Sequence, residues 1–214
     1  GAVVGVQPVE WFSMNVGVYQ GDPDGGRSIE HTLENLSGPM IMVEPAFHYD
    51  LCGLAGHIRP GWWWNGTRFD EVDVNDPTPG RFDEAYGCYL VWDQEIWKEN
   101  PGDEEDSQGV GVFAQYGWSQ KDRIECQQYY GAGFQWTGAI PSRDSDITGL
   151  GVFHARISDQ AGYEEDSETV VEGFYRLQLL PCVAVKPDIQ FIHNPGGSEN
   201  KDALAVGVRW EVVF

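Results

Sequence analysis

Positive charge is scarce in this chain of 214 residues. Lysine and arginine together number 13, against 34 aspartates and glutamates, so the formal charge at pH 7 is −21. A surface with this excess of negative charge repels the phosphates of nucleic acids and of anionic lipid head groups. We therefore discount nucleic acid and anionic lipid head groups as partners.

Long hydrophobic runs are also missing. Only 41% of the residues are hydrophobic, and no apolar run approaches the ~18–20 residues that a membrane helix needs. This excludes a helical membrane protein. It does not exclude a membrane β-barrel, because about half of the residues in each barrel strand can be polar.

Cysteine is sparse and scattered, with no C-x-x-C pair. This spacing is that of neither a zinc site nor a dense disulfide framework, so we expect the cysteines to be unpaired. The acidic runs at 103–106 and 164–166 lack the spaced D-x-D-x-D-G pattern of a calcium loop. We predict no metal site and no cofactor. The four cysteines stand at positions 52, 88, 126 and 182.

The last twelve residues carry the clearest pattern in the chain. Every second residue from Leu204 to Phe214 is apolar, and the positions between them carry Arg209 and Glu211 with small residues. Alternation of this kind, continuing to a final phenylalanine, is typical of a transmembrane β-barrel strand with one face toward lipid and the other toward water. The last strand of a soluble sandwich is the alternative.

The rest of the chain shows similar runs, separated by turn residues. Most contain about 9–13 residues, which suits the ~9–11 that a tilted strand needs to cross a bilayer and exceeds the ~5–6 of an average soluble strand. We predict an all-β fold, an antiparallel transmembrane β-barrel of the outer membrane. The eleven runs lie at about 2–8, 11–20, 39–51, 55–69, 85–97, 109–119, 126–138, 148–158, 168–180, 183–193 and 203–214.

The connections between the runs differ in length. Turns near 52–54 and 181–182 are very short, whereas the loops near 21–38 and 70–84 are long and polar. Outer-membrane barrels have short periplasmic turns and longer extracellular loops, so we expect the long loops to lie outside. The loop near 98–108 falls on the short-turn side and does not fit this pattern.

The odd number of runs bears on domain organisation, because bacterial single-chain barrels have even strand numbers. Either the count is wrong or strands are missing from the front. Five more would give a barrel of about sixteen strands, the size class with an open aqueous channel. The first residues carry no signal-peptide pattern, so the chain is interpreted either as trimmed or as the C-terminal part of a longer polypeptide.

The face that carries charged residues is the candidate pore lining, because fixed charges there would set the ion preference of a channel. Arg176, Lys186 and Arg209 fall on three consecutive runs and predict a basic ladder, with carboxylates on the same runs that could pair with it. The alternative is that all these charges pair across strands and only solvate the wall. The candidates are Glu44, His48, His57, Arg59, Trp63, Asp93, Glu95, Arg156, Glu172, Arg176, Lys186, Asp188, Arg209 and Glu211.

Aromatic residues divide between two expected roles. Trp63 alternates onto the charged face, where its ring is expected to stack on solute rings. The tryptophans of the opposite face predict an interfacial girdle, in which amphipathic rings lie at the level of the lipid head groups. They are Trp62, Trp64, Trp136 and Trp210.

Several motifs carry a resemblance to a known family. Lys186-Pro187-Asp188-Ile189-Gln190-Phe191-Ile192 is followed by Asn194-Pro195-Gly196-Gly197 and an aromatic last residue, and Gly109-Val110-Gly111-Val112-Phe113 lies upstream. On these motifs the chain resembles the C-terminal half of a carbohydrate-selective porin of the OprB type. The resemblance implies an outer-membrane barrel of about sixteen strands, whose N-terminal half narrows the pore. Residues 1–214 are then a single porin domain that lacks N-terminal strands.

The same resemblance implies a channel and no enzymatic activity: carbohydrate-selective, passive diffusion of small sugars and other small hydrophilic solutes through a water-filled barrel. Implied partners are small sugars as permeants, outer-membrane lipid, and the barrel-assembly machinery, for which Trp210, Val212 and Phe214 are the expected signal. Both a monomer and a homotrimer are open. Two other functions are alternatives: a soluble glycan-binding β-sandwich, and a structural envelope barrel without transport.

Overall fold

The computed structural model describes residues 1–22, 38–103 and 106–213. Within them, eleven strands form one antiparallel sheet, and two short strands, β5 and β6, form a separate hairpin. No helix in this part of the chain is long and apolar enough to cross a membrane. The strands are β1 (Ala2–Val9), β2 (Phe12–Gln20), β3 (Pro39–Leu51), β4 (Leu54–Asn65), β5 (Phe69–Asp70), β6 (Arg81–Phe82), β7 (Ala85–Lys98), β8 (Gly109–Ser119), β9 (Cys126–Thr137), β10 (Ile147–Ile157), β11 (Ser167–Leu180), β12 (Val183–His193) and β13 (Ala203–Val212).

The sheet is an up-and-down meander. Each of its strands pairs with the next one along the chain, with β4 pairing directly with β7, and the open edges are β1 and β13. The eleven predicted runs are thus confirmed, and their bounds agree with the strands to within two residues, except that the fourth run, 55–69, extends past the end of β4 and includes Phe69 of β5. The predicted loop at 70–84 differs, because it contains β6 and the last residue of β5.

The register divides the sheet into two faces. Lys186 is paired with Arg209 and Val185 with Trp210, so the alternation along β12 and β13 is in phase. The same phase runs through every pair of strands to β1, because paired residues point to the same side of a sheet. We call the side of Lys186 and Arg209 the polar face, and the side of Val185 and Trp210 the apolar face.

Within the part of the chain that the structure describes, neither face of the sheet is covered by another layer. Among the described residues, the only buried hydrophobic side chains are the alanines Ala46, Ala85 and Ala184, whereas Val206 is 74% exposed and Trp210 is 69% exposed. A soluble β-sandwich buries one face of each of its two sheets in a common core. The exposed apolar face therefore argues against the sandwich and suits a sheet that meets lipid.

The two ends of the sheet differ. At the turn end, β3 and β4 are joined by Cys52 and Gly53, with φ of 57° and 87°. Two positive φ angles are the signature of the tight I′ hairpin turn. The Asp50 carboxylate accepts the Gly53 N–H at 2.7 Å and holds this turn.

At the opposite, loop end, the long connections are bonded to one another. The Val72 N–H donates to the Asp122 carbonyl at 2.9 Å, and the Val74 N–H donates to the Gln160 carbonyl at 3.1 Å. The Arg123 guanidinium lies 3.7 Å from the centre of the Phe82 ring. The hairpin β5–β6 and its loop are therefore tied to the loops that follow β8 and β10.

A buried carboxylate anchors the turn between β9 and β10. Asp146 is 2% exposed, accepts the Gln178 N–H at 2.8 Å and the Arg143 Nε–H at 2.6 Å, and is hydrogen-bonded to the Tyr175 hydroxyl. Burial raises the pKa of Asp146, but the bonds from Arg143, Tyr175 and the Gln178 amide outweigh it and hold that pKa below its ordinary value. The turn is thus pinned to β11.

Candidate pore wall

The register brings all of the predicted lining residues except Arg156 to the polar face. This follows from the pairing of each with a residue of the same face, as in His48 with His57 and His57 with Asp93. Side chains can line the same pore only if they lie on the same face of the sheet. The residues on the polar face are Glu44, His48, His57, Arg59, Trp63, Asp93, Glu95, Glu172, Arg176, Lys186, Asp188, Arg209 and Glu211.

One charged cluster spans β2 to β7 and is centred on Asp93. The carboxylate of Asp93 lies 2.5 Å from His57 Nδ1 and 2.6 Å from Arg59 Nη2. The His57 ring meets the His48 ring edge-on at 5.1 Å, and His48 Nε2 lies 3.0 Å from the Ser13 hydroxyl. This chain of contacts holds two imidazoles and a guanidinium at fixed places on the wall, each only part-buried.

A second charged cluster lies on β11 to β13. Arg176 Nε is 2.7 Å from the Glu211 carboxylate, and Lys186 Nζ is 3.9 Å from that of Glu172. The predicted basic ladder is therefore partly neutralised by cross-strand pairs, as the alternative interpretation expected. Arg209 makes no hydrogen bond or ion pair with the residues that the structure describes.

Between the two charged clusters, β8 to β10 carry stacked aromatic rings. The Phe153 ring lies 6.1 Å from the Phe113 ring at an interplanar angle of 24°, and 6.4 Å from the Tyr129 ring at 19°. Phe153 is paired with Gly131, and Phe113 with Gly133. Because glycine has no side chain, the rings can lie across the neighbouring strand and present a flat surface.

Phe153 belongs to this ring stack on the polar face, although its side chain is apolar. The signal that identifies its face is the glycine pattern, since Gly149 and Gly151 precede it at the same parity and are paired with polar-face residues. Glycine on a strand marks close approach by a neighbouring group. Here the neighbouring group is an aromatic ring.

The prediction that Arg156 lines the pore is wrong about its face. Arg156 is paired with Gln128 on β9 and with Ser167 on β11, and it shares its side of β10 with Val152. The error has a physical cause: β10 carries apolar residues on both faces, Val152 on one and Phe153 on the other, so polarity alone does not distinguish them. Arg156 lies at the loop end of the apolar face and is exposed.

The four tryptophans assigned to a girdle all lie on the apolar face. Trp136 makes an edge-on contact with Trp97 at 6.4 Å, near the turn end. Trp210 and Val212 are on the same face of β13 and are 69% and 57% exposed. Phe214 lies outside the described residues, so the assembly signal stays a prediction. All four cysteines are free in this structure.

Comparison with known proteins identifies the family. A family model described as carbohydrate-selective porin, OprB family, matches residues 1–214. The chain belongs to the OprB family. It is 23% identical to Porin B of Pseudomonas aeruginosa, over 96% of this chain and 52% of that protein. A solved structure, the high-pH structure of Pseudomonas putida OprB, shares the fold with a TM-score of 0.88 and 19% identity, over 98% of this chain and 57% of the solved one.

Family membership confirms the antiparallel β-barrel fold and the outer-membrane location predicted from the sequence. The description of that family is of carbohydrate-selective porins, which are channel proteins. The chain spans about half the length of the curated relative that it matches. The open edges at β1 and β13 therefore belong to a sheet that covers part of a barrel wall.

Proposed function

We propose that this chain forms part of the wall of an outer-membrane channel that lets small sugars and other small hydrophilic solutes diffuse passively. The observation that carries the proposal is the composition of the polar face. Stacked rings on β8 to β10 lie between charged clusters on both sides, while the opposite face is apolar and exposed.

This composition fits the chemistry of a sugar. A pyranose ring presents C–H groups on its face and hydroxyl groups around its edge. The rings of Phe113, Phe153 and Tyr129 offer a flat surface to the first, and the charged side chains offer hydrogen-bond partners to the second. Selectivity in a passive pore depends on such lining groups and on the pore diameter.

The polar-face residues are accordingly proposed as pore-lining, with Arg156 removed from the predicted set and Phe113, Tyr129 and Phe153 added. Asp93, held by His57 and Arg59, is the proposed hydrogen-bonding centre of one wall. Arg209, which makes no hydrogen bond or ion pair with the described residues, is the proposed unbonded cation of the other.

The open edges call for further strands. Unpaired backbone N–H and C=O groups in a lipid environment each cost several kcal/mol, so β1 and β13 are expected to pair with strands outside residues 1–214. We propose that these residues belong to one porin domain of about sixteen strands, the size class that leaves an aqueous channel. Barrel-assembly machinery is the proposed reader of β13, and monomer and homotrimer both fit the wall described here.

Liposome swelling tests the proposal against a barrel without transport. Protein purified from outer membranes is reconstituted, and swelling is followed in isosmotic glucose and in a larger trisaccharide. We expect faster entry of glucose. If liposomes that contain the protein swell no faster than empty liposomes, the result would support a structural barrel without transport instead.

A pair of variants on one strand tests the stacked rings. Phe153→Ala is expected to slow glucose entry relative to glycerol, because it removes the central ring of the stack. Val152→Ala is the matched control, since Val152 is the adjacent residue on the apolar face. If both variants behave alike, the ring stack is not part of the sugar path.

A further inference from the structure

The apolar face carries one polar patch, confined to β9 to β12 at the loop end. It consists of two neighbouring rows of paired residues. The first row is Tyr130, His154, Thr169 and His193, and the second is Gln128, Arg156 and Ser167.

The same two rows continue onto β4, β7 and β8, where their character is different. The first continues as Tyr116 and Leu90, and the second as Trp118, Cys88 and Trp62. Aromatic and apolar side chains therefore fill the rows on one half of the sheet, as in a lipid-facing girdle. The polar patch interrupts that girdle on the other half.

The patch contains a cationic side chain, that of Arg156, in a chain of net charge −21. Arg156 is exposed and makes no hydrogen bond or ion pair within the described ranges. Asp159, whose charge interacts with Arg156, is already bonded to Lys121 at 3.0 Å. The guanidinium donors thus have no partner among the residues that the structure describes.

Two histidines add further groups. His154 Nδ1 lies 2.9 Å from the Thr169 hydroxyl, which fixes the ring and leaves Nε2 for another partner. His193 Nδ1 lies 2.8 Å from the Asp202 carboxylate. Because this carboxylate is negative, His193 contributes a polar group to the patch but no net positive charge. Tyr130 packs beside the His154 ring at 6.2 Å between ring centres.

Next to the patch, toward the middle of the sheet, the apolar face is exposed hydrocarbon. Leu150 and Val152 are each 45% exposed, and Phe191 is 45% exposed. The surface is therefore amphipathic over a short distance: a guanidinium and hydroxyl groups at the strand ends, and aliphatic and aromatic side chains below them.

We propose that this polar patch binds a phosphate group of an outer-leaflet glycolipid, with the acyl chains of that lipid lying on the adjoining apolar surface. Guanidinium groups bind phosphate through two parallel hydrogen bonds. The long-loop end of an outer-membrane barrel faces outward, which puts the patch at the level of the outer head groups. The inference goes beyond sugar passage and does not depend on it.

Binding of an anionic head group at this patch differs from what the net charge of the whole chain predicts. Anionic head groups were discounted because the whole chain is acidic. Screening limits the reach of exposed charges to roughly 8 Å at physiological ionic strength, so a phosphate responds mainly to the groups beside it. The register, which composition does not reveal, places Arg156 and His154 together.

Native mass spectrometry of the purified protein in detergent tests the proposal. The probe is lipid A with two phosphates, compared with its monophosphorylated and dephosphorylated forms. We expect the bisphosphorylated form to bind most tightly. Arg156→Gln is expected to weaken its binding about tenfold, because one charge-assisted contact contributes about 1.5 kcal/mol or more.

Arg68→Gln is the matched control. It removes the same charge from the loop end, where Arg68 is 84% exposed and pairs loosely with Asp83 at 3.8 Å, and should leave lipid binding unchanged. Inorganic phosphate at the lipid concentration should not displace the lipid, because it has no acyl chains. Displacement under these conditions would mean a free-anion site and would overturn the proposal.

Two further outcomes would also overturn it: unaltered lipid A binding by Arg156→Gln, or equal binding of all three lipid forms. A change in oligomer mass on substitution would assign the patch to contacts between copies. Heat-modifiable mobility on gels checks that the variants fold. If Arg156→Gln does not fold, Thr169→Val replaces it, since it removes the hydroxyl beside His154 without a change of volume.

Discussion

On the polar face, the strands β3 to β7 and the strands β8 to β10 hold their side chains in different ways. In the first group, Asp93 is held by His57 and Arg59 through hydrogen bonds of 2.5 and 2.6 Å. In the second, Phe113 and Phe153 lie over glycines of the next strand. Hydrogen bonds, which are directional, position the side chains of the first group. The rings of the second group are positioned by the space that glycine leaves on the neighbouring strand. Substitutions should therefore damage the two regions differently.

The largest effect is expected from Gly133→Ala, in the aromatic region. A Cβ atom at this position would meet the Leu150 carbonyl oxygen and would lie 2.7 Å from the Phe113 ring. Since backbone cannot move aside as a side-chain end can, we expect a loss of about 3 kcal/mol in the free energy of unfolding. Urea unfolding of the reconstituted barrel measures this loss.

Gly111→Ala is the control for that variant. It also adds a methyl group on the polar face, but its nearest contact would be 3.8 Å away, at the Gln94 carbonyl. Equal destabilisation by both substitutions would show that strand glycine, and not the space above it, is what matters.

The next largest loss in the free energy of unfolding is expected in the turn between β9 and β10, two of the strands that carry the aromatic rings. Asp146→Asn places an amide where Asp146 accepts bonds from Arg143 and Tyr175, and should cost about 2 kcal/mol at pH 7. The native pKa of Asp146 is lowered, so its contribution is present above the unfolded value of ~3.9 and is lost as pH falls through the folded pKa.

Unfolding at several pH values therefore checks the Asp146 prediction. The difference between wild type and Asp146→Asn should be constant from neutral pH down to ~5 and should shrink below ~4. Asp144→Asn, in the same turn but exposed, should show no such difference. A difference that grows in acid would contradict the assignment.

A smaller effect on stability, but a clear one on conductance, is expected for Asp93→Asn in the charged region. The loss of the carboxylate leaves the Arg59 charge uncompensated on the wall, at a cost of about 1 kcal/mol because the groups are part-exposed. Fixed charge in a pore sets ion preference, so the reversal potential in a KCl gradient should shift toward anion preference. Asp83→Asn, with its side chain 93% exposed in the loop region, should not shift it.

The smallest effect is expected at a contact between a charge and an aromatic ring on β11 and β12. Lys186 Nζ lies 3.8 Å from the centre of the Phe174 ring, a cation–π contact worth about 0.5–1 kcal/mol. A double-mutant cycle with Phe174→Leu and Lys186→Met should give a coupling energy of that size. A coupling near zero would mean that only packing holds the ring.

The fold could be predicted from the sequence almost completely, because alternation along strands is a local property. Strands such as β3 and β12 begin and end where polarity and turn residues indicate. The phase of β10 could not be predicted, since both of its faces carry apolar residues, and Arg156 was therefore assigned to the wrong face. The hairpin β5–β6 was also missed, because it depends on contacts with distant loops such as Val72 with Asp122.

Several of the bonds between the loops at the loop end are made by backbone atoms alone. Val72 and Val74 donate their amides to neighbouring loops, and the Glu165 N–H donates to the Gly197 carbonyl at 3.0 Å. Such bonds do not depend on which side chain a residue carries, as long as the donor is not proline. Many of the side chains in these loops can thus be replaced while the backbone bonds that join one loop to the next remain.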